Sequence, residues 1–175
     1  MSIDLTALEK SLSERFGADI LGFSTFRKQL TVRIKAPAVL AILRFLRDDA
    51  MAGFDILSDV TVVDGLKLPE DMEFPERFAV VYHLTSLKEF TRIRVKAFVS
   101  EDAPEIDSVG SLWASALWGE REAHDMFGVV FKGNPDLRRM LMPENYEGFP
   151  LRKDYPLKGR GERDNFPKYT EIPEN

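Results

Sequence analysis

The chain has no cysteine and only two histidines among its 175 residues. The missing thiols remove disulfides, thiolate nucleophiles, thiolate zinc sites and cysteine-ligated iron–sulfur clusters together. Any redox centre it serves must therefore belong to another chain. A basic face is also missing: the formal charge is -5 and the pI near 5.2, which excludes a general nucleic-acid binder. No P-loop or dinucleotide fingerprint occurs, and Gly128, Gly133, Gly148, Gly159 and Gly161 are too scattered to cradle a phosphate. The opening MSIDLTALEKSLSERFG carries early acidic residues and no uninterrupted apolar run, so neither a signal peptide nor a spanning segment is expected there.

What is present is enough apolar residue for one real core: 44% of the chain, within the length of a single domain. Leu5, Leu8, Leu12 and Phe16 fall at helical spacing behind Asp4 as N-cap, with Gly17 as a stop. Alternation over 20–27 and 30–35 predicts a pair of half-buried strands. Pro37 opens a second helix with Val39, Leu40, Leu43, Leu46 and Met51 on one stripe and Gly53 closing it. A strand over 54–64 and a charged loop over 70–77 precede a hairpin of 78–87 with 91–99. In its second strand Ile93, Val95 and Ala97 alternate with Arg92, Arg94 and Lys96. One sheet face is thus core and the other faces solvent or a partner. The order predicts an α+β fold, helices packed on a mostly antiparallel sheet, followed by a helical segment and a long extended C-terminal arm.

The expected divisions are an α+β body over 1–108, a helical segment over 109–131 that completes it, and a partner-binding arm over 132–175. The body ends in an acidic loop over 101–108. The helical segment carries Leu112, Trp113, Ala116, Leu117 and Trp118, and Gly119 breaks or kinks it. In the arm, Pro135, Pro143, Pro150, Pro156 and Pro167 leave room for no more than a turn of helix at 136–141. Residues 132–164 carry eight basic and six acidic side chains, +2 against -7 for the rest, so the arm's surface differs in kind from the body's. An arm of this composition cannot bury itself and is expected to find its apolar cover on another polypeptide. Aromatics there, Tyr146, Phe149 and Tyr155 among them, suit such an interface at about 1.5 to 3 kcal/mol each.

Glu120, Arg121, Glu122, His124 and Asp125 crowd into one and a half turns. Helical spacing makes Glu120 and His124 neighbours, and likewise Arg121 and Asp125, while Ala123, Met126 and Phe127 face the other way. A metal-dependent hydrolase would use Glu120, Glu122, His124 and Asp125, but a third nearby histidine is missing and the spacing is not that of a zincin. The favoured reading is an ion-pair network that orders the turn and offers Arg121 to a carboxylate or to backbone carbonyls. His83, within a strand, is assigned no role, and the pairs Arg138 with Arg139 and Arg152 with Lys153 are ordinary ion-pairing groups beside Asp136 and Asp154.

The run EREAHDMFGVVFKGNPDLRRMLMPENYEGFPLRKDYPL over 120–157, preceded by Trp118, closely resembles the C subunit, or 30 kDa subunit, of proton-pumping NADH:quinone oxidoreductase, respiratory complex I. The likeness runs through Trp118, Glu120, Arg121, Glu122, Asp125, Phe127, Gly128, Phe131, Gly133, Pro135, Asp136, Leu137, Arg138, Arg139, Leu141, Met142, Pro143, Glu147, Gly148, Pro150, Leu151, Arg152, Lys153, Asp154, Tyr155 and Pro156. Asn134 and Phe149 stand where many members have histidine, and His124 where an aromatic is common. The resemblance implies a cofactor-free, non-catalytic subunit of the hydrophilic arm, peripheral on the cytoplasmic face of the inner membrane. It further implies the D subunit, which holds the quinone site, as binding partner, with iron–sulfur subunits B and I as neighbours. Flavin, iron–sulfur clusters, NADH and quinone would then all be bound by partner subunits, and membrane association would come only through the complex. An alternative within the same fold family is the equivalent subunit of an ion-translocating membrane-bound NiFe hydrogenase.

Overall fold

The computed structural model describes residues 4–49, 53–69 and 72–161. Helix α1 (Leu5–Phe16) begins at its expected cap: the Asp4 carboxylate accepts from the amides of Thr6 and Ala7 at 3.0 and 3.3 Å, satisfying donors that the first turn leaves open. Strands β1 (Ile20–Phe26) and β2 (Gln29–Lys35) form the predicted hairpin. Its tip residues Arg27 and Lys28 both have positive φ, the twist that a tight two-residue connection between antiparallel strands requires. Helix α2 (Val39–Asp48) follows a 3-10 turn holding Pro37 and buries Val39, Ile42, Leu43 and Leu46. It ends before Gly53, which stands beyond it with a φ of 51° and donates to the Asp49 carbonyl. Met51 lies outside the described residues.

Strands β3 (Ile56–Asp64), β4 (Phe78–Ser86) and β5 (Thr91–Val99) complete a five-stranded sheet of order β1-β2-β5-β4-β3. Every neighbouring pair is antiparallel except the central β2 and β5, which run parallel with Leu30 opposite Ile93. Leu30, Val32 and Ile34, Ile93 and Val95, Val80 and Tyr82, and Val60 and Val62 all point to one side. There they form a single core with Leu8 and Leu12 of α1 and Ile42, Leu43 and Leu46 of α2. No helix covers the other side among the described residues, as alternation in 91–99 predicted.

Three expectations are corrected. The acidic loop over 101–108 contains a short strand, β6 (Glu105–Asp107), paired in parallel with β7 (Val130–Lys132). The helical segment expected over 109–131 is helical only as α3 (Ala116–Phe127); Val109, Leu112 and Trp113 reach the core from turns, and its end enters β7. Gly119 neither breaks nor kinks it. A Cβ there would lie 3.0 Å from Val60 Cβ and 3.2 Å from the Val60 carbonyl, so glycine permits close approach of α3 to β3.

Candidate functional site

Helix α3 sits on the sheet through Ala116, Ala123, Met126 and Phe127, and two of its carboxylates are buried with them: Glu120 and Asp125 are both 0% exposed. Glu120 therefore shares the inward face with Ala123 and Met126 rather than opposing it. Its oxygens accept from the Ser108 hydroxyl at 2.6 Å, the Val109 amide at 2.7 Å and Asn134 Nδ2 at 2.8 Å. These bonds tie α3 to the turns after β6 and β7. Burial raises the Glu120 carboxyl above its ordinary range, although these three donors oppose the shift. The nearby Tyr82 hydroxyl is fully buried with no hydrogen-bond partner among the described residues. Burial first, then Glu120 and Asp107, push its phenol well upward.

Asp125 is held differently. One of its oxygens accepts from three consecutive amides, Met140, Leu141 and Met142, at 2.9, 2.8 and 2.9 Å, while the other takes the Arg139 guanidinium at 2.7 Å. Burial alone would raise this carboxyl. The amides and Arg139 outweigh it and hold the group below the ordinary carboxylate range. Arg121 is not its ion partner, despite the helical spacing. Arg121 turns outward to donate to the carbonyls of Arg138 and Arg139 at 2.5 and 2.8 Å, with Asp136 at 3.4 Å. It thus closes the same loop from the other side and lies over Trp118. Asp136 in turn binds Arg138 through two nitrogens, and that bidentate contact holds its carboxyl far below the usual range.

The rest of the described arm continues against the body. Helix α3 ends at Gly128 (φ 76°), where a Cβ would strike the Phe149 ring at 2.6 Å and Arg152 at 2.7 Å. Arg152 donates to the Phe127 carbonyl at 2.7 Å and lies between the Phe149 and Phe78 rings. Arg77 binds the buried Asp64 through two nitrogens and also binds Asp154 and Glu101, while the Lys153 amide donates to Asp64 at 2.8 Å. Asp64 first and then the other carboxylates raise the Arg77 guanidinium further above its ordinary value. Tyr146 and Tyr155 share a 2.7 Å hydroxyl bond, and Gly148 lies under the Tyr155 ring.

Residues 133–161 are thus irregular and non-helical, as expected, and part of their backbone bonds to the body. The expectation that this stretch has no hold on its own chain is corrected only for part of its polar groups: the amides of Met140, Leu141, Met142, Leu151 and Lys153 and the guanidiniums of Arg139 and Arg152 bond to α3, its C-terminal end and Asp64 of β3. Its outward side is another matter. Trp118 is 64% exposed, Leu141 58%, Leu151 49%, and Leu157 fully open. Pro135, Arg138, Lys153 and Asp154 are exposed as well, while Pro143 and Pro150 are half-covered. An open groove of about 780 Å³ lies among Tyr146, Leu151, Lys153, Tyr155, Leu157 and Lys158.

The residues a hydrolase would use do not converge. Glu120 and Asp125 are committed to separate sets of donors, Glu122 points into solvent, and His124 Nδ1 donates to the Val129 carbonyl at 2.9 Å. Among the described residues no group of three or more histidine, aspartate and glutamate side chains is arranged to hold a metal. Sequence reasoning missed Ser108, Val109, Asn134, Asp64 and Arg77. Of these only Asn134 draws notice in the sequence, as a departure from the family pattern, and no role is given to it there.

Residues 32–161 match the family described as respiratory-chain NADH dehydrogenase, 30 Kd subunit. The chain is similar to the C subunit of NADH-quinone oxidoreductase from Citrifermentans bemidjiense, 49% identical over 148 residues covering 85% of this chain and 87% of that one. It is 43% identical to the protein of the same name from Acidithiobacillus ferrooxidans over 159 residues, covering 91% and 79%. Among solved structures it resembles the trypsin-resistant fragment (1–134) of Nqo5, with a TM-score of 0.60 and 36% identity over 74% of this chain and 98% of that one. It shares its fold with a chain of the membrane-bound sulfane sulfur reductase, an archaeal respiratory membrane complex. There the TM-score is 0.72 over 97% of this chain and 96% of that one, at 22% identity.

Proposed function

Since the chain belongs to the 30 kDa subunit family of respiratory-chain NADH dehydrogenase, we propose that it is a structural, non-catalytic subunit of NADH:quinone oxidoreductase that binds the D subunit and holds the quinone-reducing module in shape. The interface is the outer side of α3 and the arm. Trp118, Phe127, Gly128, Pro135, Arg138, Pro143, Gly148, Pro150, Arg152, Lys153 and Tyr155 form or support that surface. Glu120, Arg121, Asp125, Asp136, Arg139 and Asp154 keep it in shape, and Glu122 extends it into solvent. Electron transfer from NADH through flavin and iron–sulfur clusters, and the coupled proton translocation, take place in partner subunits, B and I among the neighbours. The chain sits in the peripheral arm on the cytoplasmic face and meets the membrane only through the complex; no described helix is long and apolar enough to cross one.

The observation that carries this reading is the combination of a rigidly bonded but irregular loop surface with large apolar side chains left open on it. A backbone fixed in advance by Asp125 and Arg121 loses little further entropy on binding, so exposed Trp118, Leu141 and Leu151 contribute their apolar area to a partner in full. A catalytic reading gains nothing from the same geometry, because the two buried carboxylates are each taken up by their own set of structural donors. Purification of the tagged chain from its native host tests the proposal. The D subunit and iron–sulfur subunits should come with it in fixed ratio, and their consistent absence refutes it. The equivalent subunit of an ion-translocating hydrogenase ranks second. The fold shared with the archaeal complex is compatible with it, but relatives at 43% and 49% identity carry the quinone oxidoreductase name.

A further inference from the structure

The sheet's open face segregates charge. Cross-strand register places Arg94 between Thr31 and His83, and Lys96 between Arg33 and Val81, with Arg92 one step further along β5. These are neighbours on one surface, where like charges side by side destabilise a sheet unless an opposite charge lies near. Arg33 has Glu73 at 2.6 Å, from the loop whose Phe74 packs edge-on against Phe98 and so covers the far end of the face. Arg92, Arg94 and Lys96 have no ion-pair partner among the described residues; Arg94 reaches only the Thr31 hydroxyl, at 3.5 Å. Asp59, across from His83 on β3, is the sole carboxylate that the strands themselves bring to this side among the described residues. Burial first, then the neighbouring Arg94 and Arg33, lower the Lys96 ammonium. The Arg33 Nε is also buried without a partner. A chain of net charge -5 thus gathers uncompensated cations on the one sheet face its helices leave open.

The same face runs into a second feature. Because β2 and β5 are parallel, the β1–β2 and β4–β5 tips lie side by side at one end of the sheet. They hold Phe26, 69% exposed at the end of β1 beside the positive-φ pair Arg27 and Lys28, and Phe90, 91% exposed and itself at a φ of 50°. Two open aromatics beside a row of arginines and a lysine match the make-up of protein interfaces, where aromatic anchors and arginine are enriched, and arginine suits carboxylates through its planar fork.

We infer that the open face of the sheet, from the Phe26 and Phe90 tips along Arg92, Arg94 and Lys96, is a second docking surface, and that its occupant is an acidic segment of a partner subunit. This rests on the chain being a subunit of the assembled enzyme, and it is separate from the α3 and arm surface. The flat, half-buried setting of the cations favours side-chain carboxylates laid along the strands. Such a contact fixes register and speeds assembly more than it adds bulk affinity.

The test uses the assembled complex, isolated through a tag on this chain. Carbodiimide treatment, which joins lysine to a contacting carboxylate, should yield peptides linking Lys96 or the exposed tip residue Lys88 to aspartate or glutamate of another subunit. The double variant Arg92→Glu with Arg94→Glu, and separately Phe90→Ser, should recover about tenfold less complex at low salt, about 1.4 kcal/mol, with the charge variant's deficit shrinking as salt rises and the melting of the isolated chain unchanged. If the double variant itself fails to fold, the cross-links on unsubstituted complex and the Phe90→Ser variant decide. Absence of such cross-links together with wild-type recovery of the variants overturns the inference. So does charge-dependent binding of the isolated chain to phosphatidylglycerol vesicles, which would make this a lipid-facing surface. If the unsubstituted chain brings down no subunit at all, the proposed function fails; if it does, and the cross-links are absent while the face variants behave as wild type, the docking surface alone fails.

Discussion

Replacing Asp125 by asparagine removes the charge from a group that is 0% exposed and accepts four hydrogen bonds, from Arg139 and the amides of residues 140–142. The amide oxygen of the variant can serve one side of that set, while its NH2 must face either the three amides or the guanidinium, donor against donor. The three amides then lose an ionised acceptor worth about 1.5 to 3 kcal/mol per bond, and Arg139 is left beside a neutral group. Relaxation of the loop recovers part of this, so the expected loss is about 3 to 5 kcal/mol, the range for breaking a buried ion pair. For a chain of this length that is a fall in Tm of roughly 6 to 20 °C, taking about 2 to 4 °C per kcal/mol. The pH dependence gives an independent signature. A carboxyl held below its unfolded value contributes stability that is present above that value and lost as pH falls through the folded one. The parent should therefore lose stability on acidification below the ordinary aspartate range, and the variant should show less of that loss. Urea unfolding followed by tryptophan fluorescence, repeated between pH 3 and 7, measures both effects. A destabilisation under about 1 kcal/mol, with an unchanged acid limb, refutes the view that Asp125 organises the loop.

Glu120 should behave with the opposite sign. Its carboxyl is raised, so its contribution is greatest below its unfolded value and is lost as pH rises through the folded one. In Glu120→Gln the stability relative to the parent should improve between pH 4.5 and 7, and a flat difference rejects the assignment. Gly119→Ala should destabilise by about 1 to 3 kcal/mol in thermal melts, because the new methyl meets Val60 side chain and backbone; a gain from helix propensity alone, about 1 kcal/mol, would contradict the close packing. Truncation before Pro143 should leave a folded body with a lower Tm, since Asp64 and Arg77 lose Lys153 and Asp154; an unchanged Tm by calorimetry would mean that these contacts stabilise nothing.

Where side chains alternate or recur on a single element, the sequence was enough to place them. The Ile93, Val95 and Ala97 stripe against Arg92, Arg94 and Lys96 identified both faces of β5, and Asp4 located the start of α1 to the residue. The parallel pair of β6 and β7 was invisible, because three residues such as Glu105–Asp107 carry no measurable period and the partner is far along the chain. Gly119 reads as a helix breaker on propensity, and only the proximity of Val60 explains it. At the site, Arg121 was expected to serve a carboxylate or backbone carbonyls, and it reaches both, the carbonyls of Arg138 and Arg139 and the carboxylate of Asp136. The pairing of Asp125 with Arg139 was not foreseen, since local i,i+4 logic directs Asp125 to Arg121 and says nothing of a loop folding back over the helix. The same gap explains the arm: counting apolar residues predicts that it has no core of its own, but not that buried carboxylates and arginines on the body would satisfy its backbone.

The parallel pairing at the middle of the sheet has a bearing on how the chain is made. Strand β2 can close its hairpin with β1 as soon as both have left the ribosome, yet its other edge, from Leu30 to Lys35, finds β5 only after α2, β3 and β4 have been synthesised. At about 5 to 20 residues per second, the stretch between Leu30 and Ile93 leaves that edge uncapped for roughly 3 to 12 s in the nascent polypeptide. Through that interval an apolar strand with free backbone groups stands open in a crowded cell. A slow closing of the sheet follows from the topology itself, whatever the stability of the finished protein.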